Sequence, residues 1–333
     1  MYSGKLSAGL RCVSVNRLPE MISRVFILVL CHNGLELTLA CLDSLRQQQY
    51  AHAEVLIIDN ASQDGTPEAI RAAHPDLGLI RTGDNLGYAG GNNIGIRVAL
   101  QRGADAVFLV NNDTLLDPEC VARLVSVLEA DPRIGVIGPM VYTWEEGRVI
   151  SSAGGAIDWW HADAINVGMG EVDRGQYQAR PVDFINGCGL MITRKAIERV
   201  GLLDERYFMY WEEADWCVRI RRAGFRVHFD PGAWMRHKAA IRPDRLGPAT
   251  LYYLTRNRLL FFATHTPLPL KPAALAHAFH GALRGVSHER RPGRAEHARA
   301  IQLGIVHGLQ RRWGRVDALG WRDTRTDMVS GVT

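Results

Sequence analysis

The amino-acid sequence predicts an α/β fold built on a doubly wound, mostly parallel sheet. Three observations predict it. Short apolar runs typical of buried strands alternate with amphipathic helical patterns through the first half of the chain. The runs are continuously apolar, as in parallel strands that are covered on both faces. Polar clusters follow directly after Val29, Ile58 and Val110, and ligands of such sheets bind beyond the carboxyl ends of the strands.

Strands and helices alternate regularly up to residue 141. The first apolar run is 24–31 (RVFILVLC), and leucines between 35 and 45 then recur at helical spacing. Pro67 falls in the first turn of a second helix, where its missing N–H costs no hydrogen bond. The same reasoning predicts strands at 24–31, 54–59, 77–81, 104–110 and 134–141, and helices at 35–47, 66–73, 89–101 and 118–130.

The second half of the chain has a different character. Residues 151–179 are rich in glycine and aromatic residues and have weak periodicity, so we predict an irregular or flexible segment that covers the site. Regular structure is expected again at 182–193, in a helix at 212–223 and in a strand at 226–229. The predicted organisation is a loose N-terminal extension at 1–20, one α/β domain at 21–242 and a basic helical extension at 243–333.

Charge and cysteine usage limit the classes of function. The formal net charge of +4 does not indicate a nucleic-acid partner. Between Arg284 and Asp327 ten arginines stand against five acidic residues, so this tail either attracts anionic lipid head groups or forms a solvated helix. The six cysteines include no CxxC pair, and no run approaches the roughly 18–20 apolar residues of a membrane span. We therefore expect a cytoplasmic protein, peripheral at the inner face of the cell membrane if the tail binds lipid.

Two polar segments follow the second and third predicted strands. Asp59 ends a strand within IIDNASQDG, where its carboxylate could accept hydrogen bonds from a base or a ribose; a turn or helix cap is the alternative. Residues 84–93 (DNLGYAGGNN) place closely spaced glycines before a helix, so that the backbone can approach a phosphate or a sugar. Because the spacing is not GxGxxG and follows the third strand, the dehydrogenase fingerprint is absent.

Two acidic segments complete the set. Asp113 follows the fourth strand within NNDT, where a carboxylate can hold a hard cation that clamps a diphosphate; an Asx turn is the alternative. Farther along, YWEEADW contains Glu212, Glu213 and Asp215. Glu212 and Asp215 share one helical face, and Glu213 points elsewhere. Such a cluster can raise one pKa and supply a general base, whereas a capped, solvated helix start is the alternative.

Taken in order along the chain, these segments resemble the family 2 glycosyltransferases, particularly their bacterial rhamnosyltransferase-like branch. The matching stretches are IIDNASQDGT, DNLGYAGGNNIGI, VNNDT, INGCGLMITR, VGLLDERYFMYWEEADWCVRIRRAGF and RNRLLFF. The resemblance covers about residues 24–262. It implies a GT-A fold with its catalytic domain at 21–242. It also implies inverting transfer of a sugar from a nucleotide diphosphate donor to an acceptor hydroxyl.

The resemblance further implies which residues bind the metal and the nucleotide. Asp113 would bind Mn²⁺ or Mg²⁺ as the last residue of a DXD-like motif, and Asn111 stands where many relatives carry the first Asp of that motif. His237 lies where relatives often place a histidine, so it would be a metal ligand; a structural histidine is the alternative. The nucleotide-binding residues would be Asp59, Asn60, Asp84, Asn85, Gly91, Asn92 and Asn112.

The catalytic base is assigned in the same way. Relatives usually read Glu-Asp-x-Asp where this chain has EEAD at 212–215, so Glu213 would be the general base and Glu212 the second choice. The side chain of Glu213 is one methylene longer than that of the usual Asp. The pocket for the sugar and the acceptor would be lined by Gly187, Cys188, Trp211 and Asp215.

The substrates follow from resemblance alone. It favours dTDP-rhamnose as the donor, ahead of UDP- and GDP-sugars, and a saccharide or lipid-linked saccharide as the acceptor, in the synthesis of cell-surface polysaccharide or glycolipid. One alternative is a sugar-phosphate nucleotidyltransferase, which would need a basic Gly-rich loop where this chain has HNGL at 32–35. The other is a non-catalytic sugar- or nucleotide-binding module, which would not need the acidic cluster at 212–215. The sequence leaves both a monomer and a homodimer open.

Overall fold

A mixed sheet runs through the computed structural model, which describes residues 21–145, 147–238 and 246–316. The predicted loose extension at 1–20 and the end of the basic tail lie outside the described residues. The strands are β1 Val25–Cys31, β2 Ala53–Asp59, β3 Gly78–Arg81, β4 Ala106–Asn111, β5 Thr114–Leu116, β6 Ile134–Thr143, β7 Ile150–Ser152, β8 Gly155–Asp158, β9 Asp163–Asn166, β10 Arg180–Pro181, β11 Gly189–Thr193 and β12 Arg226–His237. The helices are α1 Leu35–Arg46, α2 Thr66–Ala73, α3 Gly87–Gln101, α4 Cys120–Ala130, α5 Arg194–Val200, α6 Glu212–Arg222, α7 Pro248–His265, α8 Lys271–Glu289 and α9 Ala295–Leu309.

Parallel pairs form the first half of the large sheet. Its strand order is β10-β12-β6-β11-β4-β1-β2-β3, with β5 paired to β12 and β7 paired to β6. β1 runs parallel to both β2 and β4, and β2 runs parallel to β3. β11 is antiparallel to both of its neighbours, over five residue pairs with β4 and two with β6. The predicted mostly parallel α/β sheet is confirmed, with β11 inserted in the opposite direction near its centre.

Both faces of the sheet are covered, and β1 illustrates the consequence. Phe26 and Leu28 belong to the core on one face, whereas Val25, Ile27 and Val29 belong to the core on the other. All five side chains are fully buried. Because successive side chains of a strand point to opposite faces, a strand without a wet face must be apolar throughout.

Two expectations for the second half are wrong in part. Residues 151–179 are irregular only in part, because they contain the hairpin formed by β8 and β9, paired from Gly155↔Asn166 to Asp158↔Asp163. Its strands have only four residues each, too few for their periodicity to be recognised in the sequence. The strand expected at 226–229 continues to His237 as β12. The sequence Asp-Pro-Gly at 230–232 resembles a turn, but β12 absorbs it as a register shift against β6.

The predicted C-terminal helices pack on one another and share the core on one face of the sheet. Tyr252, Phe261 and Phe262 of α7 are fully buried in the same core as residues of the sheet. α9 lies so close to α7 that a Cβ on Gly304 would be 2.9 Å from the carbonyl oxygen of Tyr252. None of the described helices is long and apolar enough to cross a membrane.

Candidate functional site

The carboxyl ends of three neighbouring strands meet at one edge of the sheet. β1 lies between β2 and β4, with Cys31 paired to Asp59 and Leu30 paired to Asn111. The segments that follow these strands therefore begin side by side. This is the edge at which open α/β sheets bind ligands.

Asp59 is fully buried at this edge. Its Oδ1 accepts a hydrogen bond from the N–H of Ser62 at 3.2 Å. Among the described residues its Oδ2 has no hydrogen-bond partner, and it lies 3.3 Å from Nε of Arg81. A buried carboxylate oxygen without a hydrogen bond is costly, so an N–H or O–H donor of a bound ligand would satisfy this atom.

Asn60 joins the end of β2 to the glycine-rich segment. Its Nδ2 donates to Oδ1 of Asn85 and to the carbonyl oxygen of Gly87, both at 3.0 Å. Its Oδ1 accepts from the N–H of Leu86 at 3.0 Å. Asn60 is 2% exposed, so it shapes the loop at 84–87 from the inside.

The end of the described chain reaches the same loop. Nη1 of Arg315 lies 2.5 Å from Oδ1 of Asp84 and donates to the carbonyl oxygen of Asn85 at 3.1 Å. The hydrogen bonds from Arg315 and from the N–H of Asn85 lower the pKa of Asp84. The Asp84 side chain remains exposed to solvent, and a ligand can reach it.

The start of α3 lies close against the sheet. A Cβ on Gly91 would overlap the side chain of Leu30, so this glycine allows the close approach. Asn92 is 1% exposed, and its Nδ2 donates to the carbonyl oxygen of Tyr88 at 3.0 Å. Oδ1 of Asn92 has no hydrogen-bond partner in the part of the chain that the structure describes, which leaves an acceptor beside the predicted nucleotide site.

Asp113 and His237 face each other beside the end of β4. Oδ1 of Asp113 lies 3.2 Å from Nε2 of His237, and Nδ2 of Asn111 lies 3.3 Å from the same ring nitrogen. The pairing of β12 with β5, in which His237 is opposite Thr114, holds the histidine there. Burial alone would lower the pKa of His237, but Asp113 and Cys188 raise it well above its ordinary value.

This pair suits a divalent cation. Mg²⁺ is usually held by one or two carboxylates together with substrate phosphates, and imidazole is a ligand that transition metals accept. Among the described residues, no group of three or more His, Cys, Asp or Glu side chains could hold a metal ion. Asp113 and His237 therefore fit an ion whose other ligands are diphosphate oxygens and water.

Asn112 has its amide hydrogens directed into the protein. Its Nδ2 donates to the hydroxyl of Thr38 at 2.8 Å and to the carbonyl oxygen of Asn33 at 3.2 Å. These hydrogen bonds tie the end of β4 to the loop between β1 and α1. Asn112 therefore stabilises the edge of the sheet next to the metal pair.

The acidic cluster follows a turn of unusual backbone geometry. Phe208, Tyr210 and Trp211 have φ angles of 64°, 67° and 76°. Residues other than glycine rarely adopt this left-handed conformation, and strained backbone of this kind recurs at functional sites. Glu212 is 4% exposed and Glu213 is half-buried. Both lie in the first turn of α6, where the helix dipole stabilises carboxylates.

The turn at 207–211 lies against the start of α3. The N–H of Ala89 donates to the carbonyl oxygen of Phe208 at 3.2 Å. A Cβ on Gly87 would overlap Phe208 as well. Since Asn60 also binds Gly87, the end of β2, the glycine-rich segment and the acidic cluster form one continuous set of contacts.

Gly187 and Cys188 join this set to the metal pair. The hydroxyl of Tyr88 donates to the carbonyl oxygen of Gly187 at 2.5 Å, and the N–H of Asn111 donates to the carbonyl oxygen of Cys188 at 3.2 Å. A Cβ on Gly187 would lie 2.8 Å from the Tyr88 hydroxyl oxygen, so a larger residue would displace it. The predicted nucleotide, metal and acidic segments are therefore linked by contacts at one edge of the sheet.

Trp211 and Asp215 differ in their surroundings. Trp211 is partly exposed, and its ring centroid lies 5.1 Å from that of Phe261. Asp215 is buried, with its carboxylate 2.6 Å from Nε2 of His265 and 2.7 Å from Nε of Arg219. Trp211 is accessible to a ligand, whereas the carboxylate of Asp215 joins α6 to α7.

Three further residues were not identified from the sequence. Arg81 lies beside the buried Asp59, and Arg256 and Asn257 are fully buried in α7 against the turn at 207–211. The stretch RNRLLFF was noted for its resemblance only. The signal that could have identified Arg256 and Asn257 is the presence of strongly polar side chains within an aromatic, apolar helix. Such side chains need hydrogen-bond partners when they are buried.

Comparison with known proteins bears on the family and the fold. Residues 26–201 match the family model described as "Glycosyl transferase family 2". The chain is 31% identical over 229 residues to N-acetylglucosaminyl-diphospho-decaprenol L-rhamnosyltransferase of Mycobacterium tuberculosis (strain CDC 1551 / Oshkosh), over 63% of this chain and 74% of that protein. It is 24% identical over 266 residues to dTDP-rhamnosyl transferase RfbF of Shigella flexneri, over 75% of this chain and 84% of that protein.

A solved structure with a similar fold is the mannosyltransferase PcManGT from Pyrobaculum calidifontis, in complex with GDP-Man and Mn²⁺. The similarity has a TM-score of 0.54 at 20% identity and covers 88% of this chain and 89% of that one. At this identity the similarity establishes the fold alone. The fold is GT-A, as the sequence motifs implied.

Proposed function

The chain belongs to glycosyl transferase family 2, a family of nucleotide-sugar-dependent enzymes, and we propose that it transfers a hexosyl group with inversion to an acceptor hydroxyl, using a divalent cation. One observation carries the proposal. The buried Asp59, the pair of Asp113 and His237, and the acidic first turn of α6 belong to segments that converge on one edge of the sheet. In this proposal residues 21–242 form the catalytic domain and 243–333 a supporting helical extension.

The nucleotide would bind along the ends of β2 and β3. Oδ2 of Asp59 can accept a hydrogen bond from the base or the ribose, and Arg81 beside it can donate one. Asn60 and Asn85 hold the loop that carries Asp84, which is exposed to the ligand side. The polar oxygen of Asn92 supplies a further acceptor at the start of α3.

Asp113 and His237 would hold Mn²⁺ or Mg²⁺. When bound, such an ion neutralises the negative charge that develops on the departing diphosphate. The 3.2 Å separation of the two side chains supports this role, because little movement would bring both to one ion. Asn111, next to His237, offers an amide where a carboxylate would bind a cation more strongly.

Glu213 would act as the general base, with Glu212 as the alternative. The base takes the proton of the acceptor hydroxyl while the hydroxyl oxygen forms a bond to the anomeric carbon. The bond from that carbon to the diphosphate oxygen breaks, and the nucleoside diphosphate leaves with the electron pair. Attack opposite the leaving group inverts the configuration of the sugar.

The relatives support particular substrates. Two of them are named as rhamnosyltransferases, which favours dTDP-rhamnose as the donor. One name includes a diphospho-decaprenol, which favours a lipid-linked saccharide as the acceptor at the inner face of the cell membrane. The acceptor would lie against Gly187, Cys188 and Trp211, in the synthesis of a cell-surface polysaccharide or glycolipid.

The test measures both products of the reaction. The purified protein is incubated with dTDP-rhamnose, UDP-sugars or GDP-sugars, with Mn²⁺ or with EDTA, and with a lipid-linked saccharide. The proposal expects a nucleoside diphosphate and a glycosylated acceptor, both dependent on the cation. Formation of a nucleotide sugar from a nucleoside triphosphate and a sugar phosphate would indicate a nucleotidyltransferase instead. Nucleotide binding without turnover of any donor would indicate a binding module.

A further inference from the structure

Asn257 of α7 binds the turn at 207–211 through its side chain. Its Nδ2 lies within hydrogen-bond distance of three backbone carbonyl oxygens, those of Tyr207 and Met209 at 2.8 Å and that of Tyr210 at 3.0 Å, so that one of its two hydrogens is shared between two acceptors. Asn257 is fully buried. One amide group thus gathers the carbonyls of the turn that leads directly into the acidic start of α6.

Arg256 fixes the orientation of that amide. Its Nε donates to Oδ1 of Asn257 at 2.9 Å, which leaves Nδ2 as the atom that faces the carbonyls. Its Nη2 donates to the carbonyl oxygens of Arg206 at 3.2 Å and Tyr207 at 3.0 Å. The two neighbouring side chains therefore bind the turn over a continuous stretch of backbone.

Aromatic rings hold Arg256 in place. The guanidinium carbon lies 4.9 Å from the ring centroid of Tyr253, 5.3 Å from that of Tyr252 and 6.0 Å from that of Trp313. Nη1 donates to the carbonyl oxygen of Gly314 at 2.6 Å. A planar guanidinium can stack and donate in several directions at once, which an ammonium cannot do.

The turn needs such support because its backbone is strained. Left-handed φ angles at Phe208, Tyr210 and Trp211 persist only where the surroundings enforce them. Three carbonyl oxygens of the turn, those of Tyr207, Met209 and Tyr210, lie within 3.0 Å of one nitrogen, and a donor at that point offsets their mutual repulsion. Asn257 supplies that donor, and relaxation of the turn would move the first residues of α6.

We propose that Arg256 and Asn257 are positioning residues that hold the turn at 207–211 so that Glu213 and Glu212 are presented to the acceptor. The proposal rests on the proposed function, in which one of these glutamates is the base. Neither Arg256 nor Asn257 needs to touch a substrate in this role. They act through the backbone of the turn.

The first test is the Asn257→Leu substitution, which keeps the branching at Cγ and removes the hydrogen bonds. We expect kcat for transfer to fall about 10²-fold, because a displacement of about 1 Å at a catalytic group has this effect. The affinity for the nucleoside diphosphate with Mn²⁺ and the KM for the donor should stay within about twofold, since the nucleotide binds to other segments. Partial unfolding would instead lower nucleotide-binding capacity and activity in the same proportion.

Arg258 provides a matched control on the same helix. It also donates to backbone carbonyls, those of Ala162 at 2.6 Å and His161 at 3.1 Å, but these belong to the β8–β9 hairpin. Arg256→Lys is therefore compared with Arg258→Lys, and it decides the question if Asn257→Leu does not fold. Of the two lysine variants, the proposal expects a loss of kcat only in Arg256→Lys.

Each remaining outcome counts against the proposal. Normal kcat in both Asn257→Leu and Arg256→Lys, or an equal loss in Arg258→Lys, would overturn it while wild-type transfer still supported the proposed function. Wild-type protein that binds nucleotide but transfers no sugar from any donor would refute the proposed function, and the positioning role with it.

Discussion

Oδ1 of Asp215 lies 2.6 Å from Nε2 of His265, and this contact joins α6 to α7 inside the protein. Nη1 of Arg222 donates a hydrogen bond to Nδ1 of the same ring at 2.9 Å, so Nδ1 is the acceptor. The ring hydrogen is therefore on Nε2, which donates to Asp215. Arg219 binds the second carboxylate oxygen at 2.7 Å. Burial alone would raise the pKa of Asp215, but the hydrogen bond from His265 and the charge of Arg219 lower it.

Asp215→Asn should lower the free energy of unfolding by about 3 kcal/mol near neutral pH, because it removes one partner of a buried ion pair. The native pKa of Asp215 is below the value of about 3.9 in an unfolded chain. The extra free energy of unfolding of the wild type is therefore fully present above the unfolded-chain pKa and is lost as the pH falls through the native pKa. Urea unfolding of both proteins at neutral pH and in acid measures it. A stability difference that does not change with pH would contradict the assignment.

Asp59→Asn should weaken the binding of the nucleoside diphosphate about tenfold, because a charge-assisted hydrogen bond to the buried oxygen is lost. The kcat at saturating donor should change much less. Calorimetric titration with the nucleotide measures the affinity. Glu68→Gln is the matched control, since Glu68 also lies near Arg81, at 3.5 Å, but is exposed. Equal weakening by both substitutions would show that only the charge near Arg81 matters.

Asp113→Asn should lower kcat about 10³-fold and abolish stimulation by Mn²⁺, because the carboxylate ligand of the cation is lost. The measurement is the rate of transfer over a series of Mn²⁺ concentrations. Asp117→Asn is the control, because the carboxylate of Asp117 accepts a hydrogen bond from the N–H of Glu119 and has no part in the metal pair. This variant should keep the Mn²⁺ dependence of the wild type. Wild-type kcat in Asp113→Asn would exclude Asp113 as the metal ligand.

Asn111→Asp should strengthen metal binding. The present amide nitrogen lies 3.3 Å from Nε2 of His237. A carboxylate in its place would be a second acidic ligand for the cation, beside Asp113. We expect the Mn²⁺ concentration for half-maximal transfer to fall about tenfold. Asn112→Asp is the comparison, because that side chain binds Thr38 and Asn33 rather than the metal pair. An unchanged Mn²⁺ requirement in Asn111→Asp would place the ion elsewhere.

Glu213→Gln should reduce transfer by about 10²- to 10⁴-fold, because glutamine has the same shape but cannot take a proton. Nucleotide affinity should be retained, which separates loss of the base from loss of the fold. Glu212→Gln is tested in parallel. A large loss in Glu212→Gln with normal rates in Glu213→Gln would transfer the role to Glu212.

Local patterns made the first half of the fold predictable. The apolar run of β1 and the leucine spacing of α1 indicate burial from only a few consecutive residues. Asp59 and Asp113 come at or just after the ends of such apolar runs. Strand ends in a parallel sheet share one edge, so two carboxylates far apart along the chain could be placed together. The resemblance of the motifs then added their chemical roles.

The parts that could not be predicted depend on contacts across the sequence. Asn257 binds the carbonyl of Tyr207, 50 residues away, and no periodicity encodes such a pairing. The resemblance implies a pocket role for Asp215, but its contact with His265, which is also 50 residues away, has no signature in the sequence. The direction of β11 is set by its position between β4 and β6, which its own apolar sequence does not reveal.

The insertion of β11 has a consequence for how the protein opens. β11 is bonded to β4 along all five of its residues, but to β6 at only two residue pairs, whereas β6 pairs with β12 at nine. Along the path from β12 to β3, the boundary between β11 and β6 therefore has the fewest paired residues. Because β6 is paired more extensively with β12 than with β11, we expect amide hydrogens between β6 and β11 to exchange with deuterium sooner than those between β6 and β12.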